Sequence, residues 1–254
     1  MQKLLNTKWL GRSMVYMQSA NSTNDVGKRL AEYNAPNGVL IVAETQTSGR
    51  GRFGRSWVSP EGGIYMSLIL RTVTYPEDLL KLMVATAVGT CEGLRRVTSL
   101  PVMVKWVNDL ILDGKKVGGI LIESKSSGKE VEFAVVGIGV NANVDVNSFP
   151  SELRCRAISL HEVTGKELSR EHIVASILDG LECRYEQLMS GEFEDVRQSF
   201  NRLHIAHGKL VEVNTGSHTF VGKVEGLGEN GELTLRLENG NTVSVTDGTI
   251  NLLR

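Results

Sequence analysis

Several features that would have placed this chain in a class at once are missing from it. Cysteine is sparse: Cys91, Cys155 and Cys183 stand far apart and never form a C-x-x-C pair, which argues against a disulfide framework or a thiolate zinc site and fits a reducing compartment. All three are expected in or near the core. Basic charge is not in excess, with 28 lysines and arginines against 29 acidic residues. The surplus that a phosphate-neutralising surface needs is lacking, and nucleic acid is set aside as the main partner. No apolar run is long enough to span a membrane, and Met1 to Ser13 interleaves Lys3, Lys8 and Arg12 with apolar residues instead of building a secretory signal. A cytoplasmic protein is expected. The G-x-x-x-x-G-K-[ST] loop is absent, so any nucleoside triphosphate would have to be held by Arg, Lys and Mg2+. His204 and His207 lie close in sequence, but no third ligand accompanies them at metal-binding spacing.

What is present is a globular composition: 254 residues, 41% hydrophobic and 22% charged, enough for one large core and a small second unit. Ser13 to Met17 reads as a strand, and Ser22-Thr23-Asn24-Asp25 supplies N-cap chemistry for a helix to about Tyr33. Asn37-Gly38 is a turn, and Val39 to Ala43 and Gly62 to Leu70 are apolar enough for buried strands. From about Glu77 to Val97, Leu79, Leu82, Met83, Ala87, Cys91 and Leu94 recur at helical spacing, as in a core-packing helix. Four β runs follow at Val102–Trp106, Leu110–Leu112, Val117–Glu123 and Val131–Val140, the middle pair joined across Asp113-Gly114 as a hairpin. Helical patterns return at Ser169–Met189 and Glu192–Asn201. After His207 the texture changes to short β runs, Leu210–Asn214, Thr219–Glu225, Glu232–Leu237 and Thr242–Val245, between glycine-rich turns. This predicts an SH3-like unit over residues 208–254, small enough to need packing against the larger unit of residues 1–207.

Three segments carry chemistry. The first, Gly49-Arg50-Gly51-Arg52-Phe53-Gly54-Arg55-Ser56-Trp57, interleaves arginines with glycines. Gly49, Gly51 and Gly54 satisfy G-x-G-x-x-G, and Gly137, Gly139 and Ala142 its alanine-ended variant. Neither run continues into a helical pattern, which a dinucleotide fold requires. Arginine forks grip phosphate or carboxylate oxygens, and glycine lets the backbone come close to a ligand. Trp57 can cover an aromatic ring or fill the core. The second segment is Lys105-Trp106-Val107-Asn108-Asp109-Leu110. At a strand end, Lys105 can stabilise charge on a carboxylate or phosphate, and Asp109 can orient it or help hold Mg2+. The third joins Lys116-Val117-Gly118-Gly119-Ile120-Leu121-Ile122-Glu123 with Gly137-Ile138-Gly139-Val140-Asn141. Glycines inside two apolar strands suggest a flat ligand lying on the sheet.

With these segments in place the sequence resembles the biotin–protein ligase family, in that family's motif order and over essentially the whole chain. The resemblance implies an α+β fold: a mixed β-sheet flanked by helices, the biotin/lipoate ligase-like catalytic domain, with a small C-terminal SH3-like β-barrel. It implies formation of biotinyl-AMP from biotin and Mg-ATP. Biotin then passes to a lysine of a biotin-acceptor domain, the carboxyl-carrier domain of a carboxylase or decarboxylase. By the same resemblance Ser22, Thr23, Asn24 and Gln46 bind biotin, and Gly49, Gly119 and Leu121 line its pocket. Arg50, Arg52 and Arg55 lie on a loop that closes over biotin and the nucleotide phosphates. Lys105 is the central catalytic lysine, aided by Arg52. Trp57 covers the adenine, Asn108 and Asn141 contact ATP, and Asp109 or Asn141 is available to Mg2+.

Two departures stand out: Val107 replaces the family's usual Pro, and the first motif arrives by Ser22. The bifunctional members carry an N-terminal helix-turn-helix domain first, so the chain resembles the short, ligase-only group and is not expected to repress transcription. The sequence leaves open whether it works as a monomer or a homodimer. Its nearest rival is a lipoate–protein ligase, which would lack the Gly49–Trp57 arginine pattern. A non-catalytic biotin- or nucleotide-binding regulator is the alternative from another class.

Overall fold

The structure is a computed structural model that describes residues 1–71 and 75–253. A seven-stranded mixed sheet is formed by β1 (Met14–Ala20), β2 (Leu40–Gln46), β3 (Ile64–Leu70), β4 (Met103–Lys105), β5 (Asp109–Leu112), β6 (Lys115–Ser127) and β7 (Glu130–Val140). Their spatial order is β1-β2-β3-β7-β6-β5-β4. β1 and β2 are parallel, with α1 (Thr23–Glu32) as their crossover, and every other pairing is antiparallel.

The continuous apolar runs are explained by cover on both faces. Along β2, β3 and β7, Leu40, Leu68, Ala134 and Val136 enter the main core with α2 (Asp78–Thr98) and α5 (Arg170–Met189). Ile41, Ile69, Phe133 and Val135 alternate with them and pack beneath α1. α2 and α5 approach so closely that a Cβ on Gly180 would stand 2.5 Å from the Gly89 carbonyl, and one on Gly93 would stand 2.6 Å from the Ile177 Cα.

Short helices α3 (Ser151–Arg154) and α4 (Leu160–Thr164) follow the sheet, and α6 (Phe193–Leu203) leads to the C-terminal unit. That unit is a five-stranded antiparallel sheet of SH3-like character: β8 (Leu210–Asn214), β9 (Thr219–Leu227), β10 (Leu233–Leu237), β11 (Thr242–Val245) and β12 (Thr249–Leu252). It shares the main core through Val211, Val213, Val224 and Leu235, and Trp106 Nε1 donates to the Gly231 carbonyl at 3.3 Å.

The sequence pattern missed β12, α3 and α4, whose few residues carry too little periodicity, and ended β1 three residues early. The cysteine expectation is corrected in part. Cys91 is buried, but Cys155 and Cys183 are exposed. Cys155 follows α3 in a surface connection, and Cys183 lies on the outward face of α5. Among the described residues no helix is long and apolar enough to cross a membrane.

Because the α2–α5 contact is backbone against backbone, neither helix can yield locally. Gly93→Val should destabilise the protein by about 2 kcal/mol or more, read as a lower midpoint in urea unfolding.

Candidate active site

The site exists because α1 is only ten residues long and leaves part of its sheet face uncovered. Its first turn lies beside Gly137, where a Cβ would stand 2.3 Å from Asn24 Oδ1. Beyond it Gly119 pairs with Gly139 and Leu121 with Gly137, so these residues share one face. The indole of Trp57 lies on that face: a Cβ on Gly139 would stand 2.7 Å from its Cε2 and Nε1. The protein's own Trp57 and Asn24 thus take part of the glycine face, and Gly119, Gly137 and Gly139 all remain in the wall of the site.

Next to this patch opens a cavity of about 820 Å3. Its walls include Ser22, Thr23, Asn24 and Gln46, the loop residues Arg50, Arg52, Arg55 and Trp57, and Lys105, Asn108, Asp109, Gly119, Leu121 and Asn141. Gly49 is the exception among the expected residues. It packs behind the loop, where a Cβ would meet Ser59 Oγ and the Trp57 carbonyl at 2.6 Å.

At one end the lining is uncharged and hydrogen-bonded. Thr23 donates to Gln46 Oε1 from its backbone N–H at 2.9 Å and from its hydroxyl at 3.3 Å, and Gln46 Nε2 donates to Ser59 Oγ at 3.0 Å. The Ser67 hydroxyl lies 2.7 Å from Thr23 Oγ1 and 2.6 Å from Asn24 Oδ1. The polar Ser67 in the otherwise apolar strand Ile64–Leu70 is the sequence signal that could have placed it here.

The loop is a small hairpin closed on itself, with Gly51 N–H donating to the Arg55 carbonyl at 2.7 Å and Trp57 N–H to the Gly49 carbonyl at 2.9 Å. Its arginines have different surroundings. Arg50 forks onto Asp25, at 2.7 and 3.0 Å, and reaches Glu123 Oε2 at 2.8 Å. Asn24 and Lys28 donate to the same Glu123 carboxylate. The Arg50 hydrogen bond holds Asp25 below its ordinary value. Burial pushes Glu123 upward, but hydrogen bonds from Asn24, Lys28 and Arg50 outweigh it and leave its pKa lowered. Arg52 donates to Asn108 Oδ1 at 3.2 Å and pairs with Asp247, on the turn between β11 and β12. Arg55 is exposed, its guanidinium 5.7 Å from the Phe53 ring centroid. The clamp on Arg50 and the contact with Asp247 were not visible in the sequence, since their partners lie far away along the chain.

Lys105 ends β4 at the edge of the sheet, half-buried, and makes no ion pair among the described residues. Burial lowers its pKa, Asp109 opposes the shift, and Lys116 and Arg156 add to it. Asp109 is held by Lys116, whose ammonium is 2.5 Å from Oδ1. Asn141 is 2% exposed, and its Nδ2 donates to the Ile158 carbonyl at 3.0 Å. This fixes the amide orientation and leaves Oδ1 without a partner. The free atom is an acceptor, suited to a cation or an N–H group.

A partly closed cavity in which a hydrogen-bonding cradle meets arginines and a half-buried lysine suits a ligand carrying both a neutral polar group and negative charge. Comparison with known proteins gives the class a name. The model of the biotin/lipoate A/B protein ligase family matches residues 16–141. The bifunctional ligase/repressor BirA of Bacillus subtilis is 35% identical over 237 residues, 93% of this chain and 73% of that protein. The biotin–[acetyl-CoA-carboxylase] ligase of Paracoccus denitrificans is 30% identical over 88% of this chain and 94% of its own length. A solved structure of the biotin protein ligase from Aquifex aeolicus, in complex with biotin and ATP, superposes with a TM-score of 0.82 at 30% identity, covering 96% of this chain and 99% of that one. The chain belongs to the biotin/lipoate A/B protein ligase family.

The Arg50 clamp yields a pH prediction. Its carboxylates have folded-state pKa values below their ordinary 3.8 and 4.5, so its stabilisation is complete above those values and is lost as the pH falls through the lower, folded ones. Urea unfolding followed from pH 7 downward should show stability dropping below about pH 4.5, and Glu123→Gln should flatten that drop.

Proposed function

We propose that the protein is an ATP-dependent biotin–protein ligase. It forms biotinyl-5'-AMP from biotin and Mg-ATP and transfers the biotin to the ε-amine of a lysine on a biotin-acceptor domain of a carboxylase or decarboxylase, in the cytoplasm. The observation that carries this reading is the convergence of Arg50, Arg52 and the unpaired Lys105 on one cavity with the uncharged cradle of Ser22, Thr23, Asn24 and Gln46.

In this reading the cradle takes biotin's ureido group, whose N–H and C=O groups need fixed acceptors and donors. The carboxylate then faces Lys105, attacks the α-phosphorus, and pyrophosphate leaves. Lys105 and Arg52 hold the negative charge that builds on the phosphate oxygens, and the loss of one such donor typically costs about 10²–10³ in rate. Burial keeps Lys105 dry enough for its charge to act strongly. Trp57 offers the adenine an aromatic surface, and Asn141 Oδ1 offers an acceptor to its amino group or to Mg2+. The described residues contain no cluster of three acidic or metal-ligating side chains, and Asp109 is already paired. These donors fit a Mg2+ that arrives on the nucleotide, supplying charge neutralisation, with Asn141 and Asp109 as the residues available to it. In the second step the acceptor's neutral amine attacks the acyl carbon and AMP leaves. Between the steps the anhydride must be kept from water, and the Arg52 loop, tied to Asn108 and Asp247, is the part able to cover it.

Lys105→Ala should cut biotin- and ATP-dependent pyrophosphate release by at least about 10²-fold with the thermal unfolding curve unmoved. Near-normal release would remove Lys105 from the mechanism. Arg52→Gly should speed escape of preformed biotinyl-AMP, measured by dissociation of labelled adenylate. An unchanged rate would mean that the loop does not cover it. Labelled biotin should pass to a purified biotin-acceptor domain with Mg-ATP, and an excess of lipoate should not compete; competition would favour the lipoate rival.

A further inference from the structure

Ser67 is fully buried in β3 and stands behind the cavity, paired across the sheet with Gly137 and lying under the first turn of α1. Its contacts fix a direction of hydrogen bonding that no single pair of residues would fix. Glu123 is a carboxylate and only accepts, so the Asn24 atom 2.8 Å from its Oε2 is the amide Nδ2, which also donates to the Leu121 carbonyl. Asn24 therefore turns Oδ1 to Ser67. An amide oxygen only accepts, so the Ser67 hydroxyl gives it its single hydrogen, at 2.6 Å. Thr23 Oγ1 is 2.7 Å from Ser67 Oγ, and the hydrogen between those two oxygens must then be Thr23's. The 3.3 Å contact from the same hydroxyl to Gln46 Oε1 competes for that hydrogen and is the weaker claim. A relay thus runs from Glu123 through Asn24 and Ser67 to Thr23, and Glu123 is itself held by Arg50 and Lys28. At its end Thr23 Oγ1 has only lone pairs to offer the cavity.

We propose that Ser67 is a positioning residue that makes Thr23 a fixed acceptor, so that the cavity selects a ligand presenting an N–H at this point, one of the two ring N–H groups of a cyclic urea. This rests on the ligase reading of the cavity and deepens it with a residue that the ligand never touches. A free hydroxyl turns to suit either a donor or an acceptor. Thr23 is not free in this way. Turning its hydrogen toward a ligand would leave the Thr23 and Ser67 oxygens facing each other with no hydrogen between them, in a place closed to water. A ring oxygen in place of the N–H therefore meets lone pairs with lone pairs. Rejection of that kind is far stronger than rejection by size.

The test is calorimetric titration of the whole chain, without nucleotide, with biotin and with the two analogues in which one or the other ureido N–H is replaced by a ring oxygen. The analogue whose oxygen faces Thr23 should bind the unmodified chain at least about 10²-fold more weakly than biotin. Ser67→Ala releases the Thr23 hydrogen, which can then turn to the ring oxygen. For that analogue the ratio of its Kd to that of biotin should shrink roughly tenfold, while the ratio for the other analogue stays put. A merely structural serine would weaken biotin and both analogues alike and leave both ratios unmoved, which would overturn the proposal. So would an unmodified chain that binds both analogues as tightly as biotin, a result that needs no variant to fold. If the unmodified chain does not bind biotin at all, the ligase reading falls and takes this inference with it.

Discussion

A ten-residue helix laid over a seven-stranded sheet leaves bare backbone, and that shortfall organises the site. Where α1 begins, the strands cannot carry large side chains inward without meeting Asn24 or Trp57, and they carry Gly137 and Gly139 instead. The residue whose indole settles on the glycines also anchors the end of the arginine loop, since the backbone N–H of Trp57 closes that loop on the Gly49 carbonyl. The helix start delivers Ser22, Thr23 and Asn24, and the paired strands deliver Leu121 and Asn141, so one geometric deficit positions both the uncharged cradle and the charged wall.

The charged wall raises a problem that the structure solves by local pairing. Arg50, Arg52, Lys105 and Lys116 face one volume with reduced access to water, where like charges repel more strongly than at an open surface. Arg50 is matched by Asp25 and Glu123, Arg52 by Asp247, and Lys116 by Asp109. Among the described residues Lys105 has no carboxylate partner, and burial shifts its pKa downward. The pairs differ in kind. Arg50 is gripped by two carboxylates that are themselves tied to Asn24 and Lys28, which makes it a fixture of the loop's base. Asp247 is more than half exposed, so the Arg52 contact is the sort that an incoming anion displaces at little cost.

Much of this was legible in the residues, for identifiable reasons. β3 and β7 declared themselves because both faces are covered and their apolar runs are unbroken. Asp113-Gly114, both with positive φ, gave a two-residue hairpin turn that fixes where β5 ends and β6 begins. Interleaved Arg and Gly marked the loop, and Lys105 at a strand end falls in the wall of the same cavity. What stayed hidden was whatever depends on register or on distant partners. Glycines in strands announced close contact but not that the protein's own Trp57 and Asn24 make part of it. Three arginines looked equivalent in sequence, whereas only the fold separates a clamped Arg50 from an Arg52 that reaches the second unit. The bulge at Val117 reverses a face assignment that alternation alone would have given Lys116.

The C-terminal sheet is more than an appendage on these terms. It is too small to hold a core by itself and shares the main one through Val211, Val213 and Leu235. Packing there brings the β11–β12 turn to the cavity, where Gly248, Thr249, Ile250 and Asn251 form part of the wall and Asp247 meets Arg52. On the proposed ligase reading the arginine loop covers a water-sensitive anhydride and needs something to close against, and a loop rich in glycine cannot supply that rigidity itself. The sheet supplies it from outside, through a turn braced by the pairing of β12 with β8. The same shared core that stabilises the small unit therefore places Asp247 against Arg52, which ties one wall of the cavity to the folding of a segment more than a hundred residues beyond Lys105 in the chain.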